Sequence, residues 1–312
     1  MRSFTLILPV TFLMLACSSS KSDGATGSKF ESQVVTGMHD DLLAQIQKLH
    51  DAAVAMQAAA PAPSGRGWDA TLDKDTLATF TTAWMDARHA YERTEGAIAP
   101  LFPDVDTEID ARYDDFLTDP DLQAAGGDQD LFDDQGVTGM HAIERILYAP
   151  STPASVIATE ATFPGYKAAA WPATEAEAAE FKNELCARLV TDTQTLHDEW
   201  KPQGNDLNSA YSGLVSLMNE QREKVRKAST GEEESRYSRR TMADIRDNLA
   251  GTRDVYALFQ PWIQSKTDGT TIDAAIEHAF SALDTDYASV TGDSIPEPPS
   301  TWSNEGDNTA AD

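Results

Sequence analysis

Gly136-Val137-Thr138-Gly139-Met140-His141-Ala142-Ile143-Glu144-Arg145-Ile146-Leu147-Tyr148 reads as a helix that stops before Pro150, and a long acidic segment precedes it. On a helix, residues three apart share a face with Cβ atoms ~5–6 Å apart, so His141 and Glu144 are placed to grip one ion. The elements on both sides share this helical period.

Upstream, Val34 to Ala59 carries Met38, Leu42, Ile46, Leu49 and Ala53 at steps of three and four, which predicts a helix ended by Ala60-Pro61-Ala62-Pro63-Ser64-Gly65. A second helix is expected from Asp73, its N-cap, to Ala97, with Leu77, Phe80, Trp84 and Tyr91 facing in. Glu92 and Glu95 share a face at its end. From Pro100 to Gln135 regularity fails, and twelve acidic residues stand against one base, Arg112. Such crowding is costly unless water or a cation offsets it. The Asp104-x-Asp106-x-Glu108 run lacks the glycine and the closing glutamate of a calcium loop, which excludes an EF-hand.

Downstream, Ser151 to Pro172 reads as a connection. Thr174-x-x-Glu177 is a capping-box signature for a helix with Phe181, Leu185, Leu189, Leu196 and Trp200 inside. Further helices are expected at Leu207–Lys227 (Tyr211, Leu214, Met218 and Val225 inward), from Thr241-x-x-Asp244 to Gln264 with Trp262 inward, and at Ile272–Tyr287. With no alternating strand pattern, the expected class is all-α: two antiparallel four-helix-bundle-like halves, 34–150 and 173–290, joined by 151–172. A Pro/Ser/acidic tail, 291–312, is expected to be disordered.

The first sixteen residues have a basic Arg2 and an apolar run too short to span a membrane, and read as an export signal. Met14-Leu15-Ala16-Cys17 resembles a bacterial lipobox, which makes Cys17 the lipidated first residue of a flexible tether, 17–33, on the periplasmic side of a bacterial envelope. Ser18 after it favours the outer over the inner membrane. Cys186 then has no disulfide partner and reads as a core residue. A formal charge of −27 argues against nucleic acid and anionic membrane surfaces.

No nucleophile elbow or phosphate-binding glycine loop is present, and a zinc protease of the His-Glu-x-x-His type would need a second histidine beside His141. One imidazole with several carboxylates suits iron or zinc and, at a higher carboxylate count, Fe(III) or Mn(II), better than copper or a thiolate-held metal. Gly139-x-His141-x-x-Glu144 resembles the signature of the imelysin family, exported bacterial proteins filed as peptidases and found among iron-regulated lipoproteins. Ala87 to Glu95, Leu101 to Phe116, Gly231-Glu232-Glu233 with Arg236-Tyr237-Ser238, and Asp244 to Gly251 are similar to its EfeO-type branch, here without a cupredoxin domain.

The resemblance implies a two-bundle fold with a cleft and a role in capturing iron, Fe(III) or Fe(II), for a membrane permease. It implies His141, Glu144, Glu92, Glu95, Asp110 and Glu233 as metal ligands, a one-residue slip putting Glu232 or Glu234 in the last place. Arg88, Tyr91 and Arg112 match motif residues that orient ligands or hold the bundle. Residues 118–135 and 151–172 read as insertions. The alternatives are an imelysin-type metallopeptidase and a polysaccharide-binding or structural surface lipoprotein, the latter weakened because Trp84, Trp200 and Trp262 fall on expected inner faces.

Overall fold

The computed structural model describes residues 24–228 and 233–296. The export signal, Cys17, Glu232 and the tail from residue 297 lie outside them. Every regular element among the described residues is a helix, and the chain is all-α.

Two long helices, α1 (Gly24–Ala59) and α2 (Lys74–Glu92), pack along each other. Their apolar stripes close as the spacing predicts: Met38, Leu42, Ile46, Leu49 and Ala53 are buried against Phe80 and Trp84 in one core. The helix begins earlier than the expected tether allows, because Phe30 stacks on Trp262, ring centroids 5.1 Å apart, and Val34 is buried. Asp73 makes no cap bond and instead pairs with Arg66 at 2.6 Å.

The acidic stretch is not irregular throughout. It forms four short helices, α3 (Glu95–Leu101), α4 (Pro103–Asp110), α5 (Tyr113–Leu117) and α6 (Pro120–Ala125), anchored by buried Ile98, Ile109, Tyr113 and Leu117. Next comes α7 (Gly139–Leu147), which packs on α2 and α4 with every residue buried. The expected connection contains α8 (Ala154–Glu160), fixed by Glu160, whose carboxylate accepts from Arg145 and Tyr237. After it, α9 (Glu175–Glu180) opens with the expected capping box: Thr174 Oγ1 accepts from the Glu177 N–H at 3.2 Å, and Glu177 returns the bond to the Thr174 N–H at 3.0 Å.

A π-helical turn, Phe181–Leu185, leads into α10 (Cys186–Trp200), whose apolar face joins the α1–α2 core. The helix that follows the connection therefore returns to the first two helices. The remaining layer is α11 (Leu207–Ala228), α12 (Thr241–Gln264) and α13 (Gly269–Ser289), with α11 also resting on α3. Residues past α13 are tied down: Asp293 pairs with Arg240 and Arg246, and its carbonyl accepts from the Met242 N–H.

One helix is rotated part-way from its expected orientation: Leu214 and Met218 pack against the core as expected, but the two residues at the ends of that stripe do not. On α11, Tyr211 and Val225 are 58% and 44% exposed, while Ala210, Gly213, Leu217, Gln221, Lys224 and Ala228 face inward. A lysine and a glutamine occupy the buried stripe, so apolar spacing alone misplaces the buried face by part of a turn. Trp262, also expected inside, is 38% exposed.

Candidate metal centre

Five pieces of chain converge on a buried group of charges: the end of α2 with α3, the end of α4, the start of α7, the last turns of α11, and residues 234–248 leading into α12. Two glycines allow the approach. Gly139 has φ +88°, and a Cβ there would lie 2.5 Å from the Ile109 carbonyl, so α7 starts directly against the end of α4. Gly251 does the same for α12, where a Cβ would lie 2.4 Å from the Arg93 carbonyl. That contact brings Asn248 to Glu92, whose backbone carbonyl accepts from Asn248 Nδ2 at 2.7 Å.

At one end stands His141, fully buried. Its Nδ1 lies 2.7 Å from Glu144 Oε2, and the other oxygen of Glu144 accepts from the Ser238 N–H at 2.8 Å. A carboxylate only accepts, so Glu144 fixes the Nδ1–H tautomer and turns the Nε2 lone pair away from itself. Nε2 is buried with no hydrogen-bond partner and lies 3.6 Å from Asp110 Oδ1. One ligand atom each from Asp110, His141 and Glu234 falls within 4.8 Å of the others. Burial and the nearby Arg88 guanidinium lower the His141 pKa, which favours the neutral ring a metal needs. Of the expected pincer the structure shows one contact, between Glu144 and the Nδ1 side of the ring.

At the other end two permanent cations are embedded. Arg88 bonds to Glu92 and Asp110 and lies 3.5 Å from Asp244 and 3.7 Å from Glu234. Lys224 Nζ donates to Glu92 Oε2 at 2.8 Å and Glu95 Oε2 at 2.7 Å and lies 3.0 Å from Glu234 Oε1. Burial opposes charge on both, but the surrounding carboxylates hold both pKa values well above the usual range. Six carboxylates, Glu92, Glu95, Asp110, Glu144, Glu234 and Asp244, share the site with these two cations. Burial pushes Glu95 and Asp110 well above the ordinary carboxylate range and Asp244 to about 8. For Glu234 burial acts the same way, but Lys224, Lys227 and Arg88 outweigh it and hold the carboxyl at about 2.

Of the residues singled out from sequence, Glu92, Glu95, Asp110, His141 and Glu144 come together here. Glu233 does not: its carboxylate accepts from Ser294 Oγ at 2.5 Å and lies 3.3 Å from Arg239. Its neighbour Glu234 points into the cluster, a one-residue slip. Tyr91 donates to Asp106 at the margin, and Arg112 pairs with Asp115 at 3.4 Å. An imidazole nitrogen with two carboxylates is a donor set that fits iron or zinc.

A family model described as Imelysin, within the group Peptidase_M75, matches residues 35–304. The chain belongs to the imelysin family. Within that family's range it is 25% identical over 264 residues to an Efem/EfeO family lipoprotein of Staphylococcus haemolyticus, covering 84% of this chain and 77% of the relative. It is also 26% identical over 188 residues to the iron uptake system component EfeO of Yersinia pseudotuberculosis, covering 60% of this chain and 39% of that protein. The corresponding protein of Escherichia coli K12 is 25% identical over 202 residues, covering 65% and 42%. The chain thus spans about two fifths of the length of the EfeO proteins it matches. Among solved structures, an imelysin-like protein from Psychrobacter arcticum 273-4 superposes with a TM-score of 0.51 at 14% identity, over 88% of this chain and 87% of the other. That likeness concerns the fold.

Four polar residues of this imelysin-family site escaped the sequence reading: Lys224, Asp244, Asn248 and Ser235. Asp244 looks like the third position of a cap, yet it is buried and accepts from Ser235 Oγ at 2.5 Å. Lys224 falls outside the apolar stripe expected of its helix. Asn248 lies in the stretch that resembles the family, but its role is not visible there because its partner Glu92 is 156 positions away; Ser235 bonds to Asp244, 9 positions on.

Proposed function

We propose that this chain is a lipid-anchored, extracytoplasmic metal-binding protein that captures iron for an uptake system and passes it to a membrane permease. The observation that carries the reading is the His141 Nε2 lone pair, buried, without a hydrogen-bond partner, and set beside Asp110 and Glu234. Glu144 holds the ring from behind, as carboxylates do at metal-binding histidines. Iron is the cargo here, and Fe(II) and Fe(III) both suit an oxygen-rich set with one nitrogen. Zinc is the alternative ion. The names of the EfeO relatives support the iron assignment and a place in an uptake system, and the name of the staphylococcal relative supports a lipid anchor.

Hydrolysis would require a coordination position open to a peptide. His141, Glu144 and Glu234 are all buried, which favours holding an ion over acting on a chain.

Titration with Fe(II) under anaerobic conditions and with Zn(II) is expected to give near-stoichiometric binding to the wild type. His141→Ala and Glu234→Gln should each lose it, while Glu233→Gln should bind as the wild type does. Equal binding by all four proteins would sink the assignment.

A further inference from the structure

We propose that Lys224 is a resident cation whose ammonium fills a second carboxylate pocket adjoining the histidine and thereby limits the site to one metal ion. The inference rests on the metal reading given above. One oxygen from each of Glu92, Glu95 and Glu234 lies within 4.8 Å of the others, the spacing of a metal-ligand triad. The ammonium sits among them, 2.8, 2.7 and 3.0 Å from the three oxygens, on a side chain with no solvent exposure.

An ammonium is a compact point charge that is strongly hydrated in water. Here carboxylates replace its water, as they would replace the shell of a metal ion. Glu234 belongs to both groups, one with His141 and Asp110, the other with Glu92 and Glu95. The fold therefore lays out two adjoining cation positions bridged by one carboxylate. It fills the all-oxygen position permanently and leaves to an exchangeable ion only the position with an imidazole.

Removing the lysine charge while keeping an unbranched stem, Lys224→Met, should open the all-oxygen position to a hard divalent ion. Equilibrium dialysis with Zn(II) and Mn(II), read by elemental analysis, is expected to give one ion per chain for the wild type and two for Lys224→Met. His141→Ala/Lys224→Met should retain one, at the lysine position. A count in Lys224→Met no higher than in the wild type overturns the proposal. If the wild type binds none and Lys224→Met binds one, the histidine-end reading fails while the role of Lys224 stands. Because the variant leaves buried carboxylates unpaired and its apo form risks unfolding, a wild-type measurement accompanies it. The exchange-protected ammonium resonance of Lys224 in nitrogen-labelled protein should persist unchanged in number through excess Zn(II). Its disappearance on zinc binding would mean that the metal displaces the lysine, and the proposal would fall.

Discussion

The two ends of the buried cluster share Glu234 but balance their negative charge differently. Around Lys224, three carboxylate oxygens lie within 3.0 Å of a permanent cation. Around His141, the ring is held by Glu144 and its outer nitrogen has no hydrogen-bond partner. A permanent cation makes a scaffold, because it is present as soon as the chain folds. A neutral, oriented imidazole makes a receptor, because it gains its partner only when an ion arrives. On the proposed metal reading, the difference explains how so acidic a centre folds before an ion arrives and why the ion enters at one end.

The largest effect is expected where the comparison can be broken outright, at Arg88, which bonds to Glu92 of one end and Asp110 of the other. Arg88→Met leaves buried Asp110 without a counter-charge and Glu92 with Lys224 as its remaining partner. Removing one partner of a buried pair typically costs ~3–5 kcal/mol, so urea unfolding should show a loss of that order in the apo protein. Metal should restore more stability to the variant than to the wild type, since it then supplies the only cation near Asp110. An apo variant as stable as the wild type would mean that the two ends do not depend on a shared scaffold.

A smaller effect is expected behind the histidine. If Glu144 orients the ring, Glu144→Gln should weaken metal affinity by roughly 10–100-fold, the usual cost of changing such a partner, and leave the stoichiometry at one. If Glu144 were itself a ligand beside His141, the variant would lose the ion. Calorimetric titration separates these outcomes, because one changes the constant and the other the count.

The apolar architecture was legible because its signal is periodic and local. The stripes of α1, α2 and α10 closed on one another as their spacing predicts, and Thr174 with Glu177 capped α9. The histidine and its carboxylates were legible as a resemblance, through Gly139-x-His141-x-x-Glu144 and the Glu92/Glu95 pair. What could not be read was polar burial. Lys224 is inside because Glu92 and Glu95, about 130 residues upstream, and Glu234 surround it, and a spacing rule built on apolar residues turns α11 part-way from that face. The same blindness to partners makes Glu233 and Glu234 equivalent in sequence, although one faces Arg239 and the other the cluster. The pincer reading of His141 and Glu144 had the right face, and proximity on a helix places two groups together without saying whether both face the ion.

The last test sharpens the comparison from the scaffold side, at Asp244. Burial raises its carboxyl from 3.8 to about 8, more than Arg88, Lys224 and the hydrogen bond from Ser235 lower it. A folded-state value above the unfolded one means that the folded protein keeps a proton which the unfolded chain releases. The associated stability is fully present below about pH 4 and is lost progressively as pH rises towards 8, after which it changes no further. Asp244→Asn stays neutral throughout and lacks this decline. The free energy of unfolding in urea, measured across that interval, should therefore fall more steeply for the wild type than for the variant. Any change in the Ser235 bond adds a constant offset, so the slope is the readout. Parallel curves would mean that Asp244 is ionised in the folded protein, and that the permanent cations neutralise more of the cluster than Arg88 and Lys224 are assigned here.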